Sequence, residues 1–382
     1  MELIDIMAMH LCDADLCSLA RVSRYMAAVV SPIYFRRCGL ILSPRGHSLS
    51  TRSKGFKALG IWRRSLGLPS LPRLHCSFDF GSRQVALKNY HLREFFTSLP
   101  LQRTPFSHHV HLNYPETSTL QNSLDLLRDT IFMTRCQGVT MTALAFEDAR
   151  SGWKTKKAEG GIVLSGLQEL TFIHCQLSQS QWINFFTKLV IPSLQALKFT
   201  GETSMAAVYD FLVIHCDIRS LHFEKCSSKD MPTSPCPLKL RKLQSLQGTL
   251  SQTQHLLRTL LSPPPLKILV IEPDPAATVR HDNFVDNVMD CLAKCNELQV
   301  LEIRHSKEDD IAELTVLTTH ISALAAATVS YIGKLSISFE DDISDEVLRV
   351  CNFPHPNPQM FTIYRPIVRP GWHCFPTSHR LV

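Results

Sequence analysis

"LQELTFIHCQL", residues 167–177, sets Leu167, Leu170 and Phe172 ahead of Cys175 and Leu177 in the pattern L-x-x-L-x-(apolar)-x-x-C-x-L. A cysteine so placed is a reactive thiol, a metal ligand, or a small residue filling a fixed slot in a repeated unit. Self-similarity decides among these, because a missed repeat misreads a whole fold. The L-x-x-L-x-(apolar) core returns as "LQALKF" (194–199), "IRSLHF" (218–223), "LKILVI" (266–271), "LQVLEI" (298–303) and "IGKLSI" (332–337). A weaker copy is "MTALAF" (141–146), and "LRKLQSL" (240–246) is a degenerate one. Successive starts lie 22 to 34 residues apart, and "IRSLHFEKC" puts Cys226 in the slot of Cys175.

The segments between cores read as helices. "SQSQWINFFTKLV" spaces Trp182, Phe185, Phe186 and Leu189 by three and four, which gathers them on one helical face. "MAAVYDFLVIHC", "QTQHLLRTLLS" and "DNFVDNVMDCLAKC" repeat the arrangement, with Pro192 and Pro263–Pro265 as stops before the next strand. A short strand and a helix cannot bury their apolar faces within one unit, but units stacked side by side can. The pattern resembles the cysteine-containing class of leucine-rich repeat. The fold class expected is therefore α/β: a short N-terminal all-α module, then a leucine-rich-repeat solenoid. Its parallel sheet would form the concave face and its helices the convex one. Cys175 and Cys226 become packing residues in that reading.

The first forty residues, "MELIDIMAMHLCDADLCSLARVSRYMAAVVSPIYFRRCGL", follow a different pattern. A helix over "ELIDIMAMHL" breaks at "CDAD", where Asp13 or Asp15 can cap a second helix, "LCSLARVSRYMAAVV", that Ser31–Pro32 should end. So small a core is expected to dock onto something else. Glu2, Leu3, Ile4 and Ile6, then Leu16 and Leu19, then Val22-Ser23-Arg24, then Tyr34-Phe35-Arg36, resemble an F-box of the filamentous-fungal style. The family's Leu-Pro before the first helix has no counterpart ahead of Glu2, which predicts weaker adaptor engagement or a start further upstream.

The resemblance implies a substrate receptor of a Skp–cullin–F-box ubiquitin ligase. Leu3, Ile4, Ile6, Leu16, Leu19, Val22, Ser23 and Arg24 would bind the Skp-type adaptor, and the repeats an unknown target protein. Such a receptor does no bond chemistry and acts by proximity. The alternative is a leucine-rich-repeat scaffold whose vestigial F-box has no role in ubiquitination.

Between their buried positions, repeat strands expose one middle row, Thr171, Lys198, His222, Val270, Glu302 and Ser336. The next row is Ile173, Thr200, Glu224, Glu272, Arg304 and Ser338. Thr171, Ile173, Lys198, His222, Glu224, Val270, Glu272, Glu302, Arg304 and Ser336 are the candidate target-binding residues. Substituting Glu302 and Arg304 together is expected to abolish retention of a target without changing thermal stability.

Other functions find less support. With 45% apolar and 19% charged residues the chain suits a folded protein. Its most apolar window, "ELTVLTTHISALAAATVSYIGK" (313–334), carries too many polar groups for a membrane span. No basic n-region opens the chain, so the thirteen cysteines are expected as reduced thiols in the cytoplasm or nucleus. Cys12/Cys17 and Cys291/Cys295 lack the second pair of a zinc site. His109 and His111 of "HHVH" share one face of a possible strand, either as metal ligands or as a cluster without function.

His174–Cys175, His215–Cys216 and His373–Cys374 are adjacent pairs, which on a strand point to opposite faces rather than forming a nucleophile–base pair. No phosphate-loop, dinucleotide or zincin motif occurs. The expectation is no catalytic residue, no metal, no cofactor, and neither membrane nor nucleic acid as partner. Nine Lys or Arg residues and no acid lie from Arg36 to Arg73. The domains expected are 1–40 as the helical module, 41–74 as a basic connector, 75–350 as the solenoid and 351–382 as a proline-rich cap or tail. "FKALGIWRRSLGL" (56–68) has helical character, and early degenerate repeats are expected around "RLHCSFDF" and "HVHLNY".

Overall fold

Alternation of buried and half-buried residues marks the strand stretches 170–173, 196–200 and 220–224 in the computed structural model of the chain. It describes residues 3–38, 40–42, 48–51, 55–56, 59, 73–80, 85–98, 107–113, 136–142, 162–224, 226, 231–232, 236–272, 284–295, 297–305, 334–339 and 361–364. The chain divides into two compact units, residues 1–194 and 195–382.

The first unit opens with three helices, α1 (Leu3–His10), α2 (Asp13–Leu19) and α3 (Arg24–Arg37). They differ in detail from the sequence expectation. Cys12, not Asp13 or Asp15, caps α2, its Sγ accepting from the Asp15 amide. The expected second helix breaks over Arg21–Val22, and the Ser23 hydroxyl starts α3 by accepting from the Met26 amide at 3.1 Å. Pro32 does not end that helix but sits inside it. The turn beyond Pro32 is held by buried Tyr34 and by the Arg37 guanidinium, which donates to the carbonyls of Leu11 and Met9.

Next come β1 (Leu40–Leu42) and β2 (Ser48–Thr51), an antiparallel pair. They lie inside the stretch expected as a connector, which is thus partly sheet. Parallel to β2 follow β3 (Arg73–Asp79), β4 (Ser107–Asn113), β5 (Cys136–Thr142) and, past a short strand β6 (Ile162–Val163), β7 (Glu169–Ile173). β3 and β4 are the strands of "RLHCSFDF" and "HVHLNY", and helix α4 (Val85–Ser98) follows β3. Register corrects the weak copy. Val139 and Met141 face Leu170 and Phe172, so the repeat slots fall there and not on "MTALAF".

Helix α5 (Gln179–Phe186) starts with a capping box of Ser178 and Gln181. It buries Trp182, Phe185 and Phe186 against Phe172, with Trp182 stacked on Phe186 at 5.2 Å and edge-on to Phe172 at 5.1 Å. Leu189, expected on this helix, instead lies in β8 (Leu189–Val190), which pairs with β6 well before Pro192.

The second unit is one parallel sheet in chain order: β9 (Ala196–Thr200), β10 (Ser220–Glu224), β11 (Ser245–Thr249), β12 (Ile268–Glu272), β13 (Val300–His305), β14 (Lys334–Phe339) and β15 (Phe361–Tyr364). Parallel neighbours need a crossover, and helices α6 (Met205–Ile214), α7 (Leu250–Thr259) and α8 (Phe284–Leu292) lie in three of these connections. β15 belongs to the proline-rich segment expected to cap or trail, so part of that segment is sheet. Leu197, Phe199, Leu221, Phe223, Leu246, Leu269, Ile271, Leu301 and Ile303 are buried beside the helix residues Val208, Phe211, Leu212, Leu256 and Val288. Each contributes about 1.5–3 kcal/mol by leaving water.

Leu246 faces Leu221, so the degenerate copy begins at Leu243 ("LQSLQG", 243–248) rather than at Leu240. Gly248 then takes the slot of Phe223. A Cβ there would lie 3.0 Å from Gln252 Oε1 and 3.4 Å from the Phe223 ring, so a glycine leaves room for both. Thr249 ends β11 and caps α7 in a box with Gln252.

A ladder marks the start of the strands. The Gln195 carbonyl accepts from the Arg219 and Ser220 amides at 2.7 and 2.9 Å. The Arg219 carbonyl accepts likewise from Gln244 and Ser245, that of Gln244 from Lys267 and Ile268, and that of Lys267 from Gln299 and Val300.

"FKALGIWRRSLGL" beyond Phe56 and Leu59, most of the basic stretch 36–73, "ELTVLTTHISALAAATVSYIGK" before Lys334, and residues 365–382 with His373–Cys374 lie outside the described residues.

Candidate functional site

The two rows read from the sequence cross the second unit in register. Lys198, His222, Gln247, Val270, Glu302 and Ser336 face one another strand by strand. In the next row Thr200 faces Glu224, Thr249 faces Glu272, and Arg304 faces Ser338.

Side chains in these rows are linked to each other. Lys198 Nζ lies 2.5 Å from Glu224 Oε2. His222 Nε2 lies 2.9 Å from Ser220 Oγ and 3.0 Å from Ser245 Oγ. Gln247 Nε2 donates to Glu272 Oε1 at 2.6 Å, and Arg304 donates through Nη1 to the same oxygen and through Nε to Glu302 Oε1, both at 2.8 Å. The carboxylates raise the Arg304 pKa against the opposing effect of burial.

Two candidates depart from expectation. Val270 and Glu272 are buried, at 7% and 5% exposure, and the neighbouring Gln247 and Arg304 side chains both bond the Glu272 carboxylate. Gln247, Ser220 and Ser245 belong to the site and were not singled out from the sequence. Correct alignment of "LQSLQG" on its neighbours is the signal that finds Gln247.

Burial, and then Lys198, hold the His222 pKa below its ordinary 6.5, and burial does the same to His215. A histidine with a depressed folded pKa takes up a proton more readily when unfolded. Stability is therefore complete above about pH 6.5 and is lost as pH falls below it toward the depressed folded values. Denaturant midpoints measured at about pH 7.5 and pH 5 should differ less in His222→Gln than in the parent. An unchanged difference would remove His222 from this account.

In the first unit Thr171 and Ile173 are half-buried on β7, facing Thr140 and Thr142. His109 and His111 share one face of β4, as expected, and His109 Nδ1 reaches Glu169 Oε2 at 3.6 Å across Gly138. Burial lowers the His111 pKa. Among the described residues no group of three or more His, Cys, Asp or Glu side chains is placed to hold a metal.

Cys175 and Cys226 are buried in equivalent places, each Sγ pointing at the carbonyl two residues back, at 3.7 and 3.6 Å. Burial pushes the Cys226 thiol up to about 12. His174 turns away into solvent in a left-handed turn, φ 48°, so the pair is separated by a turn rather than by strand alternation. His215 is buried and bonded to the Phe211 carbonyl at 2.8 Å, while Cys216 is exposed.

In the N-terminal module Ile6 on α1 and Val22 in the turn before α3 are exposed, at 45% and 72%, together with Met7, Met9 and Tyr25. Leu19 is half-buried. Leu16 is fully buried, so it builds the small core rather than a docking surface, and Ser23 caps α3. Leu3 and Ile4 lie in α1, and Arg24 opens α3.

Strand order and site together define a mixed α/β protein in which parallel strands carry an interlinked polar surface. No family model matches the chain, and no curated protein matches it. No helix among the described residues is long and apolar enough to cross a membrane.

Proposed function

We propose that the chain is a substrate receptor of a Skp–cullin–F-box-type ubiquitin ligase. The three N-terminal helices dock on the adaptor, and the polar strand rows, on a leucine-rich-repeat solenoid, hold a target protein. The observation that carries the reading is a set of exposed apolar side chains: Ile6, Met7 and Met9 on α1, Val22 in the turn before α3, and Tyr25 on α3, in a module whose own core is small. A partner that covers these side chains would take their apolar area out of water. The receptor supplies no reacting group. It raises the local concentration of target lysines near the ubiquitin-carrying enzyme.

The scaffold reading, with no role in ubiquitination, draws support from Leu16 and Ser23, whose side chains serve the fold. Co-purification with a recombinant Skp-type adaptor separates the two. Met9→Asp/Val22→Asp is expected to weaken capture about tenfold or more, since both are exposed anchors whose burial a carboxylate opposes. Absence of adaptor binding by the parent chain would favour the scaffold.

A further inference from the structure

Cations gather in the chain at and just before the strand starts of the second unit. Arg219, Lys239, Arg241 and Lys242 are exposed and Lys267 is half-buried. The backbone ladder fixes their spacing: the Arg219 carbonyl accepts from Gln244, and that of Gln244 accepts from Lys267. Arg219, Gln244 and Lys267 therefore sit on consecutive rungs, each about 4.8 Å from the next. Arg241 and Lys242 enter beside them just before β11, where Lys242 Nζ meets Asp217 Oδ1 at 2.8 Å. Among the described residues Arg219, Lys239, Arg241 and Lys267 make no ion pair, whereas the cations of the polar rows, Lys198 and Arg304, are both paired.

The geometry points to this edge as a docking site for a short acidic segment of another protein. The occupant follows from charge and extent. Like charges held this close repel one another, and an anionic chain relieves that repulsion. The cationic edge spans three strands, about 10 Å, which an extended chain of three or four residues covers. Asp217 meets Lys242 at this edge, and Glu297 comes two residues before Gln299 on the rung next to Lys267. A long phosphate backbone would have to run past one or the other, whereas a short acidic run need not. The site shares no residue with the N-terminal helices, so the fate of the adaptor reading leaves it untouched.

Fluorescence anisotropy of labelled hexaglutamate with the full chain at low salt tests the site. Labelled hexaglutamine and single-stranded oligothymidylate of equal charge serve as the comparisons. Hexaglutamate is expected to bind, to lose binding with added salt, and to bind about tenfold more weakly to Arg219→Glu/Arg241→Glu/Lys267→Glu. Arg219→Gln/Arg241→Gln, which alters only exposed side chains, should show a smaller loss and guards against misfolding of the triple variant. Arg21→Glu/Arg36→Glu, which reverses two charges of the N-terminal module, should lose less binding than the triple variant. Equal binding of hexaglutamine overturns the proposal. So does tighter binding of oligothymidylate, an unchanged double-glutamine variant, or an equal loss in the N-terminal control.

Discussion

Trp182→Ala is expected to destabilise residues 1–194 by about 3–5 kcal/mol, the usual cost of removing a large buried aromatic. Trp182 is 1% exposed, stacks on Phe186 and meets the Phe172 ring edge-on, and Phe172 also touches Phe185 at 5.6 Å. The four rings join strand β7 to the helix that follows it, so the vacated space has rings on both sides and little freedom to collapse. Ile183→Ala, one residue along and 37% exposed, should cost under about 1 kcal/mol. Urea unfolding of both variants checks the contrast. Equal midpoints for the two would show that the ring cluster does not hold this unit together.

Arg304→Ala should be the most costly change on the polar rows. It takes the guanidinium away from Glu272, whose side chain is 4% exposed and which keeps the neutral Gln247 amide. Breaking a fully buried ion pair costs about 3–5 kcal/mol. The Arg304 side chain is 34% exposed, so solvent screening reduces the expected loss to about 2–3 kcal/mol. Glu302→Gln, on the more exposed arm, should cost under about 1 kcal/mol. Adding Glu272→Gln to Arg304→Ala should recover part of the loss, because an amide needs no counter-charge. If the double variant is less stable than the single one, the buried carboxylate is not the source of the cost. The sequence reading expected joint loss of Glu302 and Arg304 to leave stability untouched. The hydrogen bond to Glu272 is the reason it should not.

Periodicity identified most strands because Leu221, Leu269 and Leu301 recur in a slot that burial requires in every unit. It misplaced two. "LRKLQSL" offers leucines at both 240 and 243, and only pairing of Leu246 with Leu221 selects the register. "MTALAF" outranked "VTM" because Val139 and Met141 are not leucines, although either fills an apolar slot as well. At the N-terminus, Pro32 was read as a stop because local rules forbid it in a helix interior. Arg37 reaching back to Met9 and Leu11 is a long-range bond that no local rule contains. The exposed rows were legible as positions but not as a network, since Glu272 is bonded by the Gln247 and Arg304 side chains of adjacent strands.

The strand-start ladder also bears on how such a chain can change over time. Strands β9 and β10 begin at Ala196 and Ser220, β12 and β13 at Ile268 and Val300, yet in both cases one carbonyl accepts from the two amides at the equivalent positions of the next strand. Register is therefore set at the point of entry and is indifferent to how many residues the chain spends on the way back. Insertions and deletions between strands should be tolerated where substitutions in the leucine slots are not. A lineage can thus lengthen or exchange the connecting segments while every polar row stays aligned.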